Sequence, residues 1–530
     1  MSTSRGNASL AAVVVTLGLL TAACSSGSGS GGKAAAPKTE VFTVAASAAV
    51  TTWDPVTSFS TEALYMGNLY EPLLWKNPSG SAEDFTPALA ESYSSSADAK
   101  TWTFKIRSGV TFHDGETVDA AAVKASIEAA KERGGASFIW APLDKITTPD
   151  ANTVVMKLSY AAPMDLVAAS TYGAWIVAPK ALKASAKDDK YFESGIDAGT
   201  GPYTLDSYTP GSEVVMKKYD GYWNADAAAT FKTIDVSITP DAVTAQQMLT
   251  SGEVDYATAL PLDTLDQLKA NPDFDVKDYP SPFDYVALFN TTRPPLDDPT
   301  VRQALSYAMP YKDIIAVGAQ GYGTQSRGPV PQGIFPWSED VPMYEQDLDK
   351  AKQLLADSGH ADGFKLTLTY ASENSSEARF VPLIKDAFAK IGVDVDVRAQ
   401  LFNQQWEKAK GDPTKAQDIF VLYYWPTYSD AGADNLYSLF HSSDAPFFNL
   451  SYWKNDSYDK LIDEAGTLTG SDRAAAQAKY VEAMKLLYDQ APGAFLYDAR
   501  GISVVPKGLS MAPYNENYPF TVFFAPVKPA

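Results

Sequence analysis

Cysteine is all but missing from this chain: its 530 residues contain one, Cys24. A single thiol cannot close an internal disulfide, so no covalent staple holds the fold. Histidine is nearly as scarce, at three. A Ser-His-Asp triad or a histidine metal centre therefore has little to draw on. No His-Glu-x-x-His string, no Gly-x-Ser-x-Gly elbow and no P-loop occurs, which excludes the zinc peptidase, the elbow hydrolase and the self-sufficient ATPase by motif. Positive charge is in short supply: 43 Lys and Arg stand against 64 Asp and Glu, for a net charge of −21. Nucleic acid is excluded as a partner on that balance. The apolar run 8–20 falls short of the roughly 20 residues that span a bilayer, and no later run is long enough to cross one.

What is present begins with the placement of that one cysteine. Arg5 gives a positive start, 8–20 an apolar middle, and Thr21-Ala22-Ala23 a small-residue site directly before Cys24. This order reads as a secretory signal. The string Leu20-Thr21-Ala22-Ala23-Cys24 resembles the lipobox of bacterial lipoproteins, with Thr21 where Leu is commonest. The resemblance implies cleavage before Cys24 and diacylglycerol on its thiol. Each buried methylene contributes about 0.8 kcal/mol, and two or more acyl chains give stable attachment. The Ser/Gly tract that follows cannot bury apolar surface to offset ordering entropy, so 24–40 reads as a flexible tether. Its Gly27-x-Gly29-x-x-Gly32 matches a dinucleotide fingerprint only as a string, since no strand precedes it and no helix follows. The full chain, with 45% hydrophobic and 20% charged residues, is globular in composition, and the remainder is long enough for two or three subdomains. Its 29 Tyr and 10 Trp offer flat apolar faces with a polar tip, which suits both packing and ligand pockets.

Along the chain, 41–45 reads as a first strand and 60–74 as a helix. Residues 101–107 alternate with period two, the mark of a half-buried strand, and 118–133 is an Ala-rich helix ended by Gly134-Gly135. Strands are expected at 154–158, 203–208, 213–218 and 233–238, with a helix at 241–249. From Asp298-Pro299, an N-cap followed by proline at the first helical position, the pattern changes. Helices at 348–358, 377–391 and 404–410 alternate with strands at 364–370, 393–397 and 419–424. Helices at 458–465 and 473–489 lead to a strand at 494–497. Such alternation argues a mostly parallel sheet covered by helices.

Several strings together resemble the family 5 solute-binding proteins of ABC importers, the oligopeptide, dipeptide and nickel type. They are Leu69-Tyr70-Glu71-Pro72-Leu73-Leu74; Pro87-Ala88-Leu89-Ala90-Glu91-Ser92-Tyr93 running into the segment from Trp102 to Gly115 with Phe112-His113-Asp114-Gly115; Gly199-Thr200-Gly201-Pro202-Tyr203 with Tyr219-Asp220-Gly221-Tyr222-Trp223; and Asn290 with the segment from Pro295 to Leu305. In this order they span nearly the whole mature chain. The resemblance implies an α/β, two-lobed periplasmic-binding-protein-like fold of class II with mixed sheets and a hinge. It implies a signal peptide at 1–23, lobe one at 41–285 plus 500–530 with an inserted subdomain near 70–190, and lobe two at 286–499. Crossings would fall near 283–289 and 497–502. A solute would be engulfed by hinge closure and passed unchanged to the permease and ATPase subunits of an importer, by a monomer held at the outer face of the cell membrane through Cys24.

The resemblance also implies where ligand binds. A loop after a lobe-two strand would supply much of the pocket: Tyr423, Trp425, Tyr428, Asp430, Asp434 and Asn435. Strand alternation puts Tyr423 and Trp425 on one face and Tyr424 on the other. Peptide binders of the family place an Asp shortly after the Trp to pair with a ligand ammonium; by spacing Tyr428 stands near that position and Asp430 two residues on. Trp53 and Asp54 match a cleft-lining segment. Arg379 is a carboxylate-clamp candidate, and His441 stands where nickel-chelate binders carry a histidine. No cofactor and no protein-bound metal is expected. An oligopeptide is the expected solute. An oligosaccharide stacked on aromatic faces, a nickel chelate and, last, a secreted carboxylate-pair glycosidase are the alternatives.

Overall fold

Residues 40–530, apart from 49, 445 and 447, are described by a computed structural model. The signal segment, Cys24 and nearly all of the tether lie outside the described residues. The first strand, Val41–Ala46, lies second from one edge of a five-stranded sheet. It pairs in parallel with Thr233–Ile238 and with Tyr256–Ala257, and Glu213–Lys218 and Tyr203–Thr209 continue the sheet antiparallel. Period-two patterning sets its inner face: Val214, Met216, Ile234 and Val236 are all buried. A second, four-stranded antiparallel sheet runs Ala90–Ser95, Thr101–Ile106, Thr153–Leu158, Leu143–Asp150. Trp102, Phe104 and Ile106 alternate inward from it into the same core that receives Val123 and Ile127 of the helix Ala120–Arg133.

The helix expected over 60–74 is shorter, Ala63–Leu69. Tyr70 closes it in an extended conformation at φ −122°, ψ 157°, and Pro72 cannot continue a helical ladder. The chain straightens there to bury Glu71. Its carboxylate accepts from Tyr222 Oη at 2.9 Å, Trp223 Nε1 at 2.8 Å and Thr200 Oγ1 at 2.9 Å. Gly199 and Gly201 bring their loop against the end of this helix. A Cβ at either would lie 1.9 Å from Leu69 O or 2.3 Å from Asn68 O, so the close approach requires glycine. His113 joins the same junction, with Nδ1 2.8 Å from Asp197 and Nε2 2.9 Å from the Gly201 carbonyl. Three of the sequence strings are thus one hydrogen-bonded knot around a buried acid.

The second half of the chain builds a six-stranded sheet: Gly323–Thr324, Gly493–Pro506, Phe274–Phe289, Ile419–Tyr424, Phe364–Ala371, Val393–Gln400. Only its last two pairings are parallel; the first three are antiparallel. The expectation of a mostly parallel sheet therefore holds for one side alone. The other side is made by two long strands, of 16 and 14 residues, which the sequence pattern conceals because Pro280, Pro282 and Gly501 interrupt their alternation. These two run antiparallel from Phe274↔Pro506 to Leu288↔Gly493, with a register shift between Pro280 and Asp284. On one side of the shift Phe274 and Val504 pack with Ala45, Ala245 and Leu249 beside the first sheet. On the other, Ala287 and Leu496 enter the core of the six-stranded sheet. Helix starts follow their caps: Asp298 accepts from Thr300 N at 2.7 Å ahead of Pro299, and Asp347 from Lys350 N at 2.9 Å.

Candidate functional site

The strand Ile419–Tyr424 lies between Phe274–Phe289 and Phe364–Ala371, and the segment after it turns away from the sheet. Tyr423 and Trp425 emerge on one face. Tyr423 stacks on Phe283 with ring centroids 5.3 Å apart and lies 4.9 Å from Tyr285, its register partner across the sheet. Trp425 meets Phe283 at 6.0 Å and Phe520 at 5.7 Å, and Phe283 meets Phe520 at 5.3 Å. Both Tyr423 and Trp425 are half-buried. Tyr423 packs against the core of the six-stranded sheet, while Phe520 and the half-buried Tyr428 pack against the core of the first two sheets. The aromatic group therefore joins two separate cores. Phe283 and Phe520 are absent from the sequence-based set: Phe283 is concealed by Pro280 and Pro282, which precede it and break the strand pattern, and nothing near Phe520 marks its role.

Tyr424 points the other way, and its hydroxyl donates to Asp434 Oδ1 at 3.0 Å. Asp434 also accepts from Thr427 N at 2.5 Å and Ser438 Oγ at 3.3 Å. Burial pushes its carboxyl up while these donors pull it down. Its carboxylate is committed to holding the loop and the wide helical turn Gly432–Leu436. Asn435 is equally committed on its amide nitrogen, which donates to Pro329 O at 2.8 Å.

Asp430 differs from Asp434, whose two oxygens both accept hydrogen bonds; Asn435 also keeps a buried oxygen, its neutral Oδ1, without a partner. Asp430 is 0% exposed. Its Oδ1 accepts from Gly432 N at 3.0 Å and Ala433 N at 3.1 Å, whereas its Oδ2 is buried with no hydrogen-bond partner. Burial pushes the carboxyl up to about 6, against the pull of the two amides and of Arg473. A buried carboxylate oxygen without a donor is costly, and a cation placed against it removes that cost.

Trp53 and Asp54 sit in the core of the first two sheets. The Trp53 ring meets Tyr208 edge-on at 5.2 Å and Tyr65 at 5.8 Å, and its Nε1 is buried without an acceptor. Asp54 Oδ1 caps Val56 N at 2.9 Å, and Oδ2 lies 3.6 Å from Arg133. The structure thus brings Trp425, Tyr423 and Phe283 into direct contact and sets Tyr428 against the cluster that holds Trp53. Arg379 is spent on local carbonyls, donating to Val317 O at 3.2 Å and Gly318 O at 2.8 Å. His441 stacks on Tyr437 at 4.4 Å and lies 3.3 Å from Asp463. Among the described residues no group of three or more His, Cys, Asp or Glu is arranged to hold a metal ion, and no helix is long and apolar enough to cross a membrane.

Mixed sheets joined by two long strands are the architecture of two-lobed periplasmic binding proteins. The fold superposes on CtaP of Listeria monocytogenes, an ABC transporter substrate-binding protein, with a TM-score of 0.81 over 93% of this chain and 100% of that one, at 22% identity. The family described as bacterial extracellular solute-binding proteins, family 5 Middle, matches residues 84–447, and the chain belongs to this family of ABC-importer solute-binding proteins. Among curated relatives, the glutathione-binding protein GsiB of Pectobacterium atrosepticum is 30% identical over 430 residues, covering 80% of this chain and 82% of that protein. AgaA of A. tumefacien R10, solved in complex with agropinic acid, is 26% identical with a TM-score of 0.75 over 92% of this chain and 99% of its own.

Proposed function

We propose that this protein captures an oligopeptide outside the cytoplasm, between a lobe of residues 41–285 plus 500–530 and a lobe of residues 286–499. It then delivers the peptide unchanged to importer subunits. Closure about the strands Phe274–Phe289 and Gly493–Pro506 encloses the guest, and lipid on Cys24 keeps the protein beside its importer. The observation that carries the choice of solute is Asp430: a fully buried carboxylate with one oxygen unpartnered, on the loop that carries Trp425 and Tyr428. A peptide's terminal ammonium supplies the missing donors. Tyr423, Trp425 and Tyr428 supply flat surface for its side chains, while Trp53 and Asp54, buried in the core of the opposite lobe, act by supporting it. Asp434 and Asn435 act by holding the loop in shape. A relative named for glutathione, itself a short peptide, supports the same solute class. Native mass spectrometry of protein isolated without denaturation tests the reading. A retained guest whose fragments are amino-acid residues is the expected result, and a retained sugar or metal chelate would overturn it.

A further inference from the structure

Helix Arg473–Gln490 opens on the wrong charge. The first turn of a helix favours anions, yet its first residue is Arg473, placed directly after the N-cap Asp472. Helix stability does not explain that choice. The guanidinium instead reaches 308 residues back along the chain: one nitrogen lies 2.7 Å from Asp165 Oδ1 and 2.8 Å from Oδ2. Asp165 belongs to the short helical turn Met164–Val167 and is buried. The Arg473 side chain keeps 32% of its surface exposed, on a groove of about 370 Å³ that Tyr93, Trp102 and Ser471 also line.

The surroundings are shaped for the same approach. Gly470 lies in the turn between helices Asp456–Leu468 and Arg473–Gln490. A Cβ there would stand 2.7 Å from Ala162 O and 3.0 Å from Ala99 Cβ. Gly470 is not among the residues with positive φ. Its own turn therefore does not require glycine; only the seat against 99 and 162 does. A two-oxygen ion pair and a side-chain-free contact thus meet at one place, and both join residues of the first proposed lobe to residues of the second.

We propose that Arg473 and Asp165, with Gly470 seated on Ala162, form a clasp that sets how much of the ligand-free protein is shut. The proposal rests on the two-lobed closure reading above. The clasp makes no hydrogen bond to the loop aromatics or to Asp430, although the Arg473 charge also pulls on the Asp430 carboxyl, so lobe distances without ligand are its primary readout. Charge-assisted pairs with one partner buried are stronger than exposed ones, and the open groove leaves this one subject to salt.

The test uses the chain with Cys24→Ser, so that spin labels sit only at introduced cysteines, at the exposed positions Lys183 and Lys352 on the two lobes. Pulsed electron resonance then gives the lobe-to-lobe distance distribution without ligand. The parent is expected to show a short-distance population that falls at least threefold in Arg473→Gln, in Asp165→Asn and in Gly470→Val. The Arg473→Gln/Asp165→Asn double variant should match the single variants and not exceed them, since one interaction is lost once. Short-distance populations equal to the parent's in all three single variants, or additive losses in the double, would overturn the clasp. A tryptic digest of casein, added as a peptide probe, separates the two ideas. If the digest shortens the distance in the parent and the variants alike while their ligand-free populations agree, the clasp falls and the closure reading stands. If neither digest nor substitution moves the distance, both fall.

Discussion

Trp425 and Phe520 meet edge to face at 5.7 Å, although one follows a strand of the six-stranded sheet and the other comes from the C-terminal segment that packs on the first core. A ring seated between two bodies is positioned to sense both. Trp425→Ala should weaken binding of the peptide recovered by native mass spectrometry at least tenfold. A buried aromatic anchor often contributes over ~2 kcal/mol. Isothermal calorimetry reads this, and unchanged affinity would remove Trp425 from the site.

Asp430 and Asp434, four residues apart, should respond in opposite ways. Asp430→Asn removes a buried charge that has one idle oxygen, so melting temperature should hold or rise while peptide affinity falls about tenfold or more, the scale of a charge-assisted hydrogen bond. Asp434→Ala strands the Thr427 amide and the Tyr424 hydroxyl in a buried loop and should cost about 2–4 kcal/mol of stability. Chemical denaturation beside calorimetry separates the two. Equal effects of both substitutions on both measurements would contradict the assignment.

Glu71→Ala should be among the most damaging single changes in the first lobe, by about 3 kcal/mol or more, because three donors lose one buried acceptor. Glu71→Gln keeps two of those bonds and should be milder. Denaturant melts rank the pair.

Stability should fall on the alkaline side. Burial pushes Glu71 and Asp498 up to about 7 and Glu377 up to about 8. Each holds its proton more tightly folded than unfolded. Its contribution is complete below the ordinary carboxyl range near 4 and is lost as pH rises through 7 to 8. Melting temperature should therefore be higher at pH 5.5 than at pH 8.5, and Glu377→Gln should flatten that slope. A flat profile in the parent protein would contradict the burial of these groups.

Cys24→Ala should release the protein from membranes, which fractionation of cells expressing each form measures. Equal membrane fractions would remove the lipid anchor from the account.

Much of this was legible in the sequence because it is local chemistry. Alternation at Trp102, Phe104 and Ile106 marks a strand, and Asp298-Pro299 marks a helix start. What escaped is long-range. The two joining strands carry Pro280, Pro282 and Gly501, residues that normally end a strand. The knot at Glu71 straightens residues that read as helix, since tertiary hydrogen bonds to Tyr222, Trp223 and Thr200 outweigh local propensity. On the site loop the residue types were visible, but not their division of labour. Only the placement of Tyr424, Thr427 and Ser438 around Asp434 separates a loop-holding carboxylate from the idle oxygen of Asp430.

The central claim is that the two lobes close on a peptide. Small-angle X-ray scattering of guest-free protein, before and after saturation with the recovered peptide, tests it most directly. The account predicts a smaller radius of gyration with peptide bound and an unaltered peptide mass on release. Superimposable profiles at saturation, or a chemically converted peptide, would contradict it.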